Sequence, residues 1–224
     1  MENKLFLSLS YDLDFVFCLD MTCANQGIEY VREGLRDFYG QICESYEAGE
    51  KSIGTFRVRF VLFKDYKYDQ NAMIESQFFT LPDDMDEALA FVNSYTTGGG
   101  GDLPENALEA LSIAMDSDWN TKNDRRRQII VLATDSIPHP LGKYNSDYCL
   151  NYPENMPKSL EELHEKWDSL GRWRRMFIFA PLRDAWRDIC EWYGVFCCNV
   201  RDALNCTDVN ILEELSLLHR CIES

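Results

Sequence analysis

Residues 128–135 read QIIVLATD, an uninterrupted apolar run, Gln128–Ala133, entered from three arginines (Arg125–Arg127) and left at Asp135. A strand with one wet face alternates apolar and polar residues, so an unbroken run of this length suits a central strand covered on both sides. Working outward, the chain alternates runs of strand length with stretches of helical period. Upstream, Asp14–Leu19 (DFVFCL) reads as a first strand closing at Asp20. A helix follows, with Ile28, Val31, Leu35, Phe38, Tyr39 and Ile42 on one face.

Gly49, Ser52 and Gly54 signal a turn, Arg57–Phe63 a second strand and Glu75–Leu81 a third, antiparallel to its neighbour. Pro82 and Asp83 open a helix with Met85, Leu89, Val92 and Tyr95 inward. Residues 96–102 (TTGGGGD) form a loop before a helix carrying Ala107, Leu108, Leu111, Ala114 and Met115. Residues 136–158 are the longest irregular segment. Helix Ser159–Leu170, strand Met176–Ala180, helix Leu182–Trp192, strand Val195–Val200 and a last helix from Asp208 to Cys221 complete the reading. The expectation is an α/β fold: a doubly wound, mostly parallel central sheet with helices on both faces, one domain over residues 1–224.

Composition narrows the function. The 224 residues carry 22 Lys and Arg against 38 Asp and Glu, a formal charge of −16. Such a field repels nucleic-acid phosphates and anionic lipid, so neither is an expected partner. No stretch reaches the roughly 18 apolar residues of a membrane span, and the N-terminus has no signal-peptide pattern. Nine cysteines without a CxxC pair read as small buried hydrophobes in a reducing cytoplasm.

In such sheets ligands bind beyond the carboxyl ends of the strands. Asp20, Asp135 and Asp102 fall there, with Thr22 two residues past Asp20. Hard cations take oxygen ligands from carboxylates, hydroxyls and water, and this set supplies them. Each residue also has a structural reading. Asp20 and Thr22 suit a strand end and helix cap, Asp102-Leu-Pro-Glu105 suits a capping box, and Asp135 suits a turn. Asp65 follows the second strand, at the rim or in a turn of its own.

Three segments together resemble the von Willebrand factor A domain family: Asp20-Met21-Thr22-Cys23-Ala24, Gly99-Gly100-Gly101-Asp102-Leu103-Pro104-Glu105 and Val131-Leu132-Ala133-Thr134-Asp135. The resemblance covers about residues 12–200 and implies a Rossmann-like fold with a metal-ion-dependent adhesion site. Asp20, Thr22, Asp102 and Asp135 would hold Mg2+ or Mn2+, with Cys23, Ala24, Gly100, Gly101 and Ser136 as the partner-binding rim. Ala24 stands where the family has a second hydroxyl, leaving that position to water.

The function so implied is a binding module, not an enzyme, gripping a partner's Asp or Glu through the cation, as a cytoplasmic assembly or stress-response factor. Two other readings stand beside it. One is a metal-dependent, phosphatase-like hydrolase, although no acid stands at Thr22 to complete an Asp-x-Asp pair. The other is a metal-free structural subunit with a decayed site, using the aromatic segments from Trp167 to Trp173 and Trp186 to Phe196.

Overall fold

The computed structural model describes residues 9–22, 27–101, 103–142, 149, 151–181, 185–199 and 212. In chain order the elements are β1 (Leu9–Asp20), α1 (Gly27–Ala48), β2 (Lys51–Phe63), β3 (Met73–Glu75), β4 (Phe79–Leu81), α2 (Met85–Asn93) and α3 (Ala107–Met115). There follow β5 (Arg126–Ala133), α4 (Leu160–Ser169), β6 (Arg174–Ala180), α5 (Ala185–Cys190) and β7 (Val195–Asn199). The protein is therefore α/β, with a mostly parallel mixed sheet and, among the described residues, five helices.

The sheet runs β3-β2-β1-β5-β6-β7, with β4 also paired to β2. Strands β2, β1, β5, β6 and β7 are parallel, while β3 and β4 return antiparallel along the outer edge of β2. β5 lies between β1 and β6 and is buried from Arg127 to Ala133, as the apolar run predicts.

Alternation along β1 divides the core. Phe15, Phe17 and Leu19 join a cluster with Ile28, Leu35 and Phe38 of α1 and Met85, Ala88 and Val92 of α2. Val16 and Cys18 join a second cluster with Leu108 and Leu111 of α3, Trp167 of α4 and Trp186 of α5. α1 and α2 thus cover one face, and α3, α4 and α5 the other. In the first cluster Phe38 stands edge-on to Phe15 at 5.3 Å and to Phe17 at 6.2 Å, while Phe15 stacks on Phe56 at 5.2 Å.

Several boundaries differ from the sequence reading. Ser52 and Gly54 lie inside β2, and the turn is confined to Gly49 and Glu50. Gly54 is the extra residue of a bulge, because the β1–β2 register jumps from Tyr11↔Ile53 to Asp12↔Thr55. A Cβ there would sit 2.7 Å from Ser10 Oγ. The expected third strand is two short ones, interrupted where Ser76 Oγ accepts the Phe60 amide at 2.9 Å. α3 begins at Ala107 with Asn106 as N-cap, five residues beyond Asp102. Glu105 instead forms a bridge to Pro138, so the expected capping box is not the start of this helix. The cysteine reading also changes. Cys18 and Cys149 are buried thiols, but Cys190 of α5 and Cys197 of β7 form a disulfide. Of the expected last helix only Leu212 lies within the described residues; it is helical and packs in the first cluster.

Phe38→Ala removes the ring on which three strand phenylalanines converge. It is expected to lower unfolding stability by about 3–5 kcal/mol. A urea titration reads this as a lower midpoint at unchanged slope; a loss under 1 kcal/mol on the order used for surface changes would show that the aromatic cluster tolerates a void.

Candidate functional site

β1 ends on Asp20 level with the ends of its neighbours β2 and β5, which places the last carboxylate at the strands' carboxyl edge with no exposed surface. Asp20 Oδ1 accepts two hydrogen bonds from Thr22, from the amide at 2.9 Å and from Oγ1 at 2.8 Å. Across the sheet, Thr134 Oγ1 donates to Asp20 Oδ2 at 2.6 Å and accepts the Ser136 amide at 3.0 Å. Register explains the meeting: Leu19 pairs with Ala133, so the next residues of the two strands face each other.

Burial pushes the Asp20 carboxyl up to about 6; its bonds from Thr134 and Thr22 oppose this, and the Asp135 charge adds to it. Asp135 is raised by burial as well, and its Oδ2 is a buried acceptor with no hydrogen-bond partner. Two neighbouring carboxyls that both resist ionisation gain from a cation between them. Nothing in the described set brings three His, Cys, Asp or Glu side chains together around one point. Asp102, the third carboxylate of the predicted set, and Cys23 and Ala24 of the predicted rim lie outside the described residues.

The glycine loop closes over Thr22. Gly98 donates its amide to Met21 O at 2.7 Å, and Gly100 adopts φ +68°. A Cβ on Gly100 would meet Glu105 Oε1 at 2.7 Å and Thr22 Cγ2 at 3.0 Å, so only glycine lets the backbone pass there. Gly101 is exposed, with the Tyr68 ring beneath it. Ser136 passes its carbonyl to Trp186 Nε1 at 3.2 Å, which ties the rim to α5.

Sequence reasoning missed the braces. Asp69 Oδ2 accepts the Gly100 amide at 2.9 Å, fixing the glycine loop to the turn after β2. Asp65 is wholly buried; Oδ1 accepts the Lys67 amide at 2.6 Å, and Oδ2 lies 3.1 Å from Nε2 of His139, itself buried. Asn106 N bonds Lys64 O, Asn106 Oδ1 accepts the Tyr66 amide, and His139 N bonds Glu105 O. Three loops are thereby stitched together. The Asp65-x-x-x-Asp69 spacing after a strand was a visible signal for one half of this; His139 had none, because its partner lies 74 positions away.

No protein-family model and no curated protein matches the sequence. Among solved structures, the chain is similar to the pilus adhesin SpaC from Lactobacillus rhamnosus GG. The TM-score is 0.56 at 13% identity, over 93% of this chain and 30% of the adhesin. The chain thus spans less than a third of that protein's length, and at this identity the likeness shows the α/β fold alone.

Asp20 binds its proton more tightly folded than unfolded, so its contribution to metal-free stability is full below pH 3.8 and is lost as pH rises through about 6. Asp20→Asn is expected to raise metal-free stability at pH 7 and to flatten its pH dependence across that window. Parallel urea curves for both proteins from pH 4 to pH 8, roughly the range set by the shift, would refute this if the two profiles kept one shape. Gly100→Ala is expected to destabilise by about 1–3 kcal/mol through its positive φ and the contact with Glu105.

Proposed function

We propose that this chain is a von Willebrand factor A-type module, a doubly wound sheet whose top edge holds a divalent cation to grip an acidic side chain of a protein partner. The observation that carries this is the buried Asp20 beside Asp135, whose Oδ2 is a buried acceptor without a partner. Helices on both sheet faces and the strand order support the doubly wound arrangement.

Asp20, Thr22, Asp102 and Asp135 are the proposed ligands, with Cys23, Ala24, Gly100, Gly101 and Ser136 as the rim. Mg2+ or Mn2+ suits this oxygen set. A bound cation supplies an open coordination position and a positive point on an acidic surface. The chain's own residues do the rest. Thr22 and Thr134 hold the Asp20 carboxyl in one orientation, and Asp69 ties down the glycine loop. The role is binding rather than turnover. The hydroxyls of Thr22 and Thr134 serve here to hold the Asp20 carboxyl, and His139 is engaged with Asp65 beneath the surface.

One observation favours a metal-free scaffold instead: both Asp20 oxygens already accept bonds from threonines. The proposal takes no support from compartment. No helix of the described residues is long and apolar enough to cross a membrane. A cytoplasmic setting rested on reduced cysteines, and the Cys190–Cys197 bond takes two of them out of that argument.

Calorimetric titration of Mg2+ and Mn2+ into chelator-treated protein tests the reading. Saturable binding at one site is expected, lost in Asp20→Ala and Asp135→Ala with the fold retained, and tightened in Ala24→Ser. Heat no different from dilution in the parent protein would leave the scaffold reading standing.

A further inference from the structure

Away from this edge a groove of 380 Å³ adjoins a smaller cleft of 160 Å³, with Tyr66, Gln70 and Asn151 lining both. It runs between the turn after β2, the end of α3 and residues 151–156. Its size alone falls in the range of small-ligand sites, about 300–1,000 Å³.

The lining selects a chemical class. Two carboxylates face the larger cleft and both are already neutralised. Glu75 pairs with Arg59, and Asp116 Oδ2 takes Lys166 Nζ at 2.5 Å. A cationic ligand therefore finds no open counter-charge in the larger cleft, and Asp69 at the smaller one already accepts the Gly100 amide. The larger cleft presents no Lys or Arg, and Lys67 at the smaller one lies 4.5 Å over the Tyr68 ring, so an anion is poorly served on a chain of charge −16. Among the described residues, no hydrogen bond engages the side-chain amides of Gln70, Asn71 and Asn155, and all three residues line the groove. Each amide offers donors and an acceptor together, as sugar hydroxyls do. Met73, Ile113, Pro153 and Met156 add an apolar wall against which the C–H face of a pyranose can lie.

We propose that this groove binds a neutral saccharide of one or two residues, held by the amides of Gln70, Asn71 and Asn155 against that apolar wall. The site is independent of the cation edge in its chemistry. It is joined to it through the turn after β2: Gln70 lines the groove, and the adjacent Asp69 holds the Gly100 amide.

The test is saturation-transfer NMR on the full chain with four probes: the methyl glycosides of glucose, galactose, mannose and N-acetylglucosamine. Chelator is present throughout, so that the fate of the metal reading has no influence on the result. Transfer to at least one glycoside is expected. Asn71→Ala and Asn155→Ala, both at exposed positions, should each weaken its Kd by roughly two- to tenfold, the loss of one hydrogen bond. Urea midpoints equal to the parent's confirm that the variants fold. Absence of transfer to all four probes, or transfer indifferent to both substitutions, overturns the proposal. So does transfer to an acetylated dialanine peptide in place of the glycosides.

Discussion

β1 is the strand on which the rest of the molecule depends, because it is hydrogen-bonded along both edges and covered on both faces. From Leu13 to Leu19 its side chains have no exposed surface wherever they are apolar. Such a strand leaves no freedom at its ends. At its lower end Asp14 is held by Arg57 at 2.7 and 2.6 Å and by the Asn120 amide at 2.6 Å. At its upper end, among the described residues, Asp20 is held by threonine hydroxyls and one amide rather than by a guanidinium. Removing a carboxylate from water is costly unless it is paired or neutralised. The guanidinium meets that demand for Asp14. For Asp20 a raised pKa meets it, and the proposed cation would meet it in another way.

This contrast separates two kinds of buried acid on the same strand. Asp14 is a closed ion pair with several donors. Asp20 sits where the sheet edge, the glycine loop and the turn after β5 converge, beside a second carboxyl with an unfilled acceptor. The loops around it are not slack. Asp69 on Gly100, Asn106 on Tyr66 and Asp65 against His139 bind three loops into one rim. The two fully buried bonds, Asn106 to Tyr66 and Asp65 to His139, hold their geometry because opening either strands a desolvated group.

The central strands β1, β5 and β6 were legible because burial on both faces writes an unbroken apolar run, as in Gln128–Ala133. Helix α1 was legible from its period, and its buried residues are those predicted, with Tyr46 added and Tyr39 only partly covered. The bulge at Gly54 was misread as a turn because glycine and serine signal both, and only the partner strand's register distinguishes them. Asp102 read as a cap because the pattern Asp-x-x-Glu is local, whereas Glu105 is claimed by Ile137 and Pro138 from a distant loop. The pairing of Cys190 with Cys197 had no signal in spacing, since it depends on α5 turning back onto β7.

What the sequence by itself determined is the alternation of strand and helix, the buried character of the central strands and the placing of Asp20, Thr22 and Asp135 near strand ends. These follow from periodicity and local chemistry, which act over a few residues. What only the tertiary structure decided is which of those groups share a site. Thr134 reaches Asp20 through strand register, Asp69 reaches Gly100 across 31 positions, and His139 reaches Asp65 across 74. The groove beside the rim belongs to the same category. Its amides come from two segments roughly eighty residues apart, and only the packed sheet brings them to one concave wall.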